Sequence, residues 1–224
     1  MDFIQPIYTY VRSGKIFDQD PDAIKETLVG NGFFAEGNYF ITALHVIKEA
    51  QAMSVKFGPY IKYNDRKIEL KLEEAIFYMS MPDERTQADY QYCDNGDLVV
   101  FKIEGARSEM ILSDKSPIEG QTLKSAYYTK NSSNELELNE TVGIVNGLAE
   151  RTKNFFAATM IPTHPTQGGS SGSPIYCGDT IYGILHAGYK EMPDICVFSS
   201  SKPVVEALKI NSIINSTKDK HSNI

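Results

Sequence analysis

The sequence predicts an all-β protein, a barrel or a sandwich, split into two halves. Three observations predict it. Short apolar runs rich in Val, Ile, Phe, Tyr and Thr recur along the chain, Gly, Asn, Asp and Pro separate them, and helical spacing is confined to two short stretches.

Taken in order, strands are expected at residues 32–35, 39–43, 67–72, 75–79, 98–103, 141–145, 155–161, 173–177 and 180–186. Residues 21–28, which open on Pro21, read as a short helix. Residues 202–214 are the clearer helix: Pro203 stands near the start, and Val204, Val205, Leu208 and then Ile213 or Ile214 follow at roughly helical spacing. The polar stretch 80–95, with Pro82, reads as a surface loop, and 131–139 as a hairpin tip or loop. Residues 113–120 (Ser-Asp-Lys-Ser-Pro-Ile-Glu-Gly) read as the link between the halves. The expected organisation is therefore 1–113, 114–214 and a flexible polar tail at 215–224.

All-β proteins often reach 224 residues as one unit, and a chain of this length buries a substantial core without disulfides. Its 42% hydrophobic and 23% charged residues are ordinary for a globular protein. A net charge of -7 argues against nucleic acid, which needs a basic footprint. Three cysteines cannot form a complete disulfide framework. Cys177 and Cys196 are expected as buried free thiols in the second half, with Cys93 in the polar loop. The N-terminus lacks a basic segment followed by an apolar one, so no signal peptide is expected. No uncharged apolar run approaches the ~18 residues that span a bilayer, so no membrane partner is expected. Both facts fit a reducing cytoplasmic setting, or a secreted one if a signal peptide has been removed. No Cys/His cluster has structural zinc spacing, so neither metal nor cofactor is expected. His164 and His221 read as loop and tail residues.

Three short blocks carry chemistry. Gly168-Gly169-Ser170-Ser171-Gly172-Ser173-Pro174 sets a serine between glycines, as acyl transfer requires of a hydroxyl on a tight turn. The N–H groups of Gly169 and Ser171 would form an oxyanion hole. Residues 30–47 read as a hairpin ending in a buried strand, with His45 at its exit. Asp97 stands immediately before the apolar strand Leu98-Val99-Val100-Phe101. Each block alone has a plain structural reading, as a Gly/Ser loop, a structural histidine and a turn aspartate.

Together, in the order His, Asp, Ser, the blocks resemble the chymotrypsin-like (trypsin-like) serine protease superfamily. Thr42-Ala43-Leu44-His45-Val46, Asp97-Leu98-Val99-Val100 and Gly169-Ser170-Ser171-Gly172-Ser173-Pro174 carry the resemblance, which spans about residues 30–214. It implies two six-stranded-type antiparallel β-barrels with a C-terminal helix. It also implies a catalytic triad of His45, Asp97 and Ser171, and protein or peptide substrates. Asp94 is the runner-up for the acid, and Ser170 and Ser173 for the nucleophile; Asp94 has no apolar strand directly after it, and the serines have the wrong offsets.

Trypsin-like digestive enzymes select basic residues with an Asp six positions before the serine. Here that position is Pro165, so a basic preference is not expected. Thr166, five positions before Ser171, together with His186 in Tyr182-Gly183-Ile184-Leu185-His186-Ala187-Gly188 resembles the S1 pattern of V8-type glutamyl endopeptidases and viral 3C-like proteases. The resemblance implies Glu or Gln at P1, with Thr166 and His186 as hydrogen-bond donors. Gly188 and Tyr189 would line a groove where substrate adds as a strand. Ser170 replaces the Asp of zymogen-activated members, which implies no activation of that kind. A regulated bacterial effector with a regulatory protein partner is a further context. The rival from another class is a catalytically inactive protein-binding module of the same fold. An α/β-hydrolase esterase is disfavoured by the order of the triad.

Overall fold

The computed structural model describes residues 2–12, 23–80, 96–148, 155–161, 169–188 and 194–209. Seven strands build the first sheet: β1 (Ile4–Arg12), β2 (Ile24–Ala35), β3 (Tyr39–Thr42), β4 (Tyr60–Tyr63), β5 (Arg66–Glu69), β6 (Phe77–Met79) and β7 (Leu98–Lys102). They lie in the order β5-β4-β1-β2-β3-β7-β6, every pairing antiparallel. Helix α1 (Leu44–Met53) follows β3 directly.

The second sheet comprises β8 (Ile111–Leu112), β9 (Thr122–Lys130), β10 (Leu136–Leu148), β11 (Phe155–Ile161), β12 (Pro174–Cys177), β13 (Thr180–Gly188) and β14 (Ile195–Ser200). Strand β12 pairs with both β9 and β13, so six antiparallel strands close into a barrel. Strand β8 adds to β13 in parallel. Among the described residues the first sheet stays open as a half-barrel. A short C-terminal helix, α2, spans residues 202–209. This is the two-barrel, mostly β architecture expected. Among the described residues, no helix is long and apolar enough to cross a membrane.

The elements follow from burial. Strand β7 is nearly all apolar because Leu98, Val99, Val100 and Phe101 are all buried, as suits a central strand between β3 and β6. One core links the halves: Phe33, Phe40, Ile47 and Val100 join Ala126, Tyr176, Ile184 and Val204 in a single cluster. A second cluster around Phe156, Met160, Leu185 and Phe198 fills the closed barrel.

The structure corrects four expectations. Residues 24–28 are strand, not helix: Ile24 and Leu28 mimic helical spacing, yet residues 24–28 pair in register with Arg12, Val11, Tyr10, Thr9 and Tyr8. Residues 136–139 belong to β10, and the turn is confined to 131–135. The hairpin ends at Thr42 rather than Ala43, and His45 lies in the first turn of α1, whose buried Leu44, Val46, Ile47 and Ala50 recur at helical spacing. Cys177 is exposed, because β12 ends there before the Gly178 turn, whereas Cys196 is a buried free thiol pushed up to about 11 by burial. Cys93, the loop at 81–95, helix residues 210–214 and the tail lie outside the described residues.

Truncating Ile47 to Ala removes a fully buried side chain from the helix that carries His45. The expected loss is about 2–5 kcal/mol of folding stability, read from the urea-unfolding midpoint.

Candidate active site

The site lies where α1, the segment entering β7, the serine loop at 169–173 and strands β13 and β14 meet. Its hub is Asp97, whose side chain is 6% exposed. The first turn of α1 has no side-chain cap and no acidic residue of its own. Asp97, just before β7, supplies one: its Oδ1 accepts the His45 backbone N–H at 2.9 Å. A carboxylate at a helix N-terminus is also favoured by the helix dipole. Its Oδ2 accepts a hydrogen bond from His45 Nδ1. The same oxygen accepts a second one from His186 Nδ1 of β13 at 2.7 Å. The Asp97 backbone N–H donates to Ser199 Oγ of β14 at 3.2 Å.

Burial pushes the Asp97 carboxyl up, but the hydrogen bonds from His186 and His45 and their Coulombic attraction outweigh it. The carboxyl is therefore held well below the usual carboxylate range. An ionised carboxylate only accepts, so both imidazoles present N–H at Nδ1.

The serine loop is fixed from the other barrel by Asn31 of β2, which is fully buried. Its Nδ2 donates to the Gly169 carbonyl and, at 3.1 Å, to the Tyr128 carbonyl. Its Oδ1 accepts the Tyr128 N–H at 2.7 Å. Its backbone N–H donates to the Ser171 carbonyl at 2.8 Å, and its carbonyl accepts the Thr42 hydroxyl at 2.5 Å. A Cβ on Gly30 would lie 3.1 Å from that Ser171 carbonyl oxygen and 2.7 Å from Cγ1 of Val46, the residue after His45. Gly30 thus lies between the Ser171 carbonyl and the first turn of α1.

Gly172 adopts φ +83°, and a Cβ there would meet the Asn31 carbonyl oxygen at 2.0 Å and Thr42 Oγ1 at 2.4 Å. Only glycine fits. Gly169, at φ +117°, turns the chain on the other side. Gly172 N–H donates to the Leu185 carbonyl at 3.0 Å, and Leu185 N–H to the Ser173 carbonyl at 2.8 Å, which seats the loop beside His186.

Of the expected residues, the structure joins His45, Asp97 and His186 directly and binds the Ser171 carbonyl to the Asn31 backbone. Ser173 is fully buried and its hydroxyl donates to the Ser170 carbonyl, while Ser170 is itself buried. Gly188 is exposed on β13, opposite Cys196 of β14. Asp94, His164, Pro165, Thr166, Gly168, Tyr189 and His221 lie outside the described residues. The sequence reading assigned no role to Asn31, Ser199 or the Thr42 hydroxyl. An Asn between two glycines inside a strand, against β-propensity, was the available signal for Asn31. One donor atom each from His45, Asp97 and His186 lies within 4.8 Å of the others, a set that suits a divalent transition metal. Such an ion would have to displace both imidazole protons from Oδ2.

A family model described as a trypsin-like peptidase domain matches residues 30–180. The chain belongs to the trypsin-like peptidase family. No curated protein matches it. Among solved structures, this trypsin-like peptidase resembles the active form of the Rv3671c protease from M. tuberculosis. That pair shares 12% identity at a TM-score of 0.56, covering 92% of this chain and 79% of the other. The scabies mite inactivated protease paralogue S-I1 shares 16% identity at 0.56, covering 94% of each chain. The HtrA-type protease AlgW with decapeptide shares 15% identity at 0.57, covering 95% and 64%. At these identities the likeness carries the fold alone, and it includes an inactivated protein.

Two outcomes follow from the geometry. Asn31→Ala leaves the Gly169 and Tyr128 partners without their side-chain bonds, so folding stability should fall by about 1–3 kcal/mol or more in urea unfolding. The second concerns acid. The folded Asp97 carboxyl lies below its unfolded value of about 3.9, so its stabilisation is present above that pH and fades as pH falls further. The stability gap between wild type and Asp97→Asn should therefore hold near pH 6 and shrink below about pH 4, as measured by urea midpoints at each pH.

Proposed function

We propose that this trypsin-like peptidase is an active serine endopeptidase working through an acyl-enzyme. The observation that carries the reading is the double hydrogen bond between His45 and Asp97. It fixes both the position of the imidazole and the nitrogen that holds its proton. In this reading His45 Nε2 acts as the base.

In this reading Ser171 Oγ attacks the scissile carbonyl carbon and its proton passes to His45 Nε2. Asp97 stabilises the imidazolium so formed. The carbonyl oxygen becomes an oxyanion held by the N–H groups of Gly169 and Ser171. The C–N bond then breaks, the proton moves from His45 to the leaving amine, and an ester to Ser171 remains. Water, deprotonated by His45, hydrolyses that ester and returns the proton to Oγ. No cofactor enters. Two supports come from structure: the Gly172 contact admits no larger residue, and the Asn31 clamp orients the backbone of the serine loop.

The proposed P1 residue is Glu or Gln, held by Thr166 and His186, with Gly188 and Tyr189 along the substrate strand. A P1 side chain that cannot form these bonds would leave buried polar groups unpaired, at a cost of roughly 1–3 kcal/mol. The proposed substrates are proteins or peptides in a reducing cytoplasmic compartment, under control of a protein partner.

The likeness to an inactivated paralogue gives the second reading, a binding module. A fluorophosphonate probe separates the two. Wild type should be labelled and Ser171→Ala should not, both folded by circular dichroism. A folded wild type that stays unlabelled favours the binding module. A peptide library should then show cleavage mainly after Glu or Gln, and cutting after Lys, Arg or large apolar residues refutes the P1 assignment.

A further inference from the structure

We infer that the outer face of β5-β4-β1-β2 binds an acidic stretch of the substrate, about four residues beyond the scissile bond on the leaving-amine side. The inference rests on the peptidase reading and extends it to a second contact with substrate.

The face follows from register. Side chains alternate along a strand, so directly opposed partners share a face. Tyr8 lies opposite both Leu28 and Tyr60, Tyr10 opposite Glu26, and Lys62 opposite Lys67. These stand on one side of the sheet, with Ile7, Ile61 and Ile68 turned to the core on the other. Tyr60 is fully buried and Tyr8 nearly so, and Tyr10 stacks on Tyr60 with centroids 5.6 Å apart. Three ammonium groups stand over this aromatic floor. Lys62 Nζ lies 4.6 Å from the Tyr8 centroid, Lys67 Nζ 4.8 Å from Tyr60 and 4.9 Å from Tyr10, and Lys56 Nζ 5.8 Å from Tyr10.

The face is cationic in a chain whose net charge is -7. Glu26 sits among the ammonium groups, 2.6 Å from Lys62 and 3.4 Å from Lys67. Glu69, opposite Tyr60, is engaged by the Gly58 N–H at 3.1 Å and by Lys71 at 3.9 Å. Three lysines thus surround one carboxylate, and the side chains of Lys62 and Lys67 are 47% and 44% exposed. A hydrogen bond to the Tyr10 hydroxyl pushes the Lys67 ammonium above its usual range, so it stays charged. The rings and Glu26 hold long side chains that are otherwise mobile, which lowers the entropy lost when an anion binds. Nucleic acid fits less well than peptide. The rings are buried and lie under ammonium groups, so bases cannot stack on them, and the overall negative charge repels a polyanion.

Continuity with the serine loop identifies the occupant as substrate. A Cβ on Gly169 would lie 3.3 Å from Leu28 Cδ2, and Leu28 stands beside Tyr8 on this face. On the other side of Ser171, Gly172 is bonded to Leu185 of β13. The loop therefore separates β13, proposed for the acyl side of the substrate, from the lysine face, which is left for the amine side. From Gly169 across Leu28 and Tyr8 to the Lys62 ammonium is about 15 Å, or about four extended residues at ~3.3 Å each.

The test uses two internally quenched peptides cut at the same bond, which differ only in carrying Asp and Glu, or Asn and Gln, at about the third to fifth positions after it. In about 0.05 M salt the acidic peptide should have the higher kcat/KM by about fivefold, and in about 0.5 M salt the ratio should fall to about twofold or less. In the Lys62→Gln, Lys67→Gln double variant the ratio should lie near one in both. Loss of folded enzyme lowers both peptides alike and leaves the ratio unmoved. A ratio near one in wild type, or a preference that survives in the double variant, overturns the proposal.

Fluorescence anisotropy of the labelled acidic peptide on folded wild type and Ser171→Ala reads binding without cleavage. If neither peptide is cut, yet the acidic one binds and the double variant weakens it about fivefold, the endopeptidase reading falls and the acidic-peptide surface stands. If the acidic peptide binds no better than the neutral one, the surface falls whatever the activity. If a single-stranded oligonucleotide of equal charge binds more tightly than the acidic peptide, the assignment to peptide is overturned.

Discussion

The serine loop is held in place by one buried amide reaching from the other barrel. Asn31 needs a side chain that both donates and accepts, because it faces two carbonyls and one N–H. An aspartate would oppose two carbonyl oxygens with negative charge, and an apolar residue would orphan three backbone groups in the core. Its main chain does as much, binding the Ser171 carbonyl and receiving the Thr42 hydroxyl. The position of Ser171 therefore depends on how the two halves dock, and the docking depends on this residue. The shared apolar cluster supplies the bulk of the attraction, while Asn31 sets the register.

Asp97 has the complementary role on the first barrel. A single carboxylate caps α1, fixes the His45 ring, anchors β13 through His186 and joins β14 through its backbone. These bonds come from three separate elements, α1, β13 and β14. Burial of so charged a group is tolerated because nearly every acceptor position is filled, and the same filling keeps it ionised. Structural support and electrostatic function reside in one side chain, so changes at this position combine losses of both kinds.

The strands that alternate or run apolar were legible in the sequence, as with β7 and β13, because burial writes itself into composition. The error at 24–28 has a physical cause. Those residues carry weak local preference, and pairing with β1 decided their state, aided by Glu26 meeting Lys62 of β4 at 2.6 Å. Helix α1 was hidden by Val46 and Ile47, which look like strand residues, and its cap lies 52 residues away. The His, Asp and Ser blocks were visible because each is a local pattern. The bonds that tie them together were not: Asn31 to Gly169 spans 138 positions and His186 to Asp97 spans 89. No local signal encodes contacts of that range in a single sequence.

The hydrogen bond from the Asp97 backbone to Ser199 joins groups 102 positions apart. A ribosome must therefore release nearly the whole polypeptide before the imidazole's support is complete. The half that carries His45 and Asp97 emerges first, and Ser171 arrives with the later half. A nascent copy therefore holds the imidazole without its full scaffold until the last strands of the second barrel have been made.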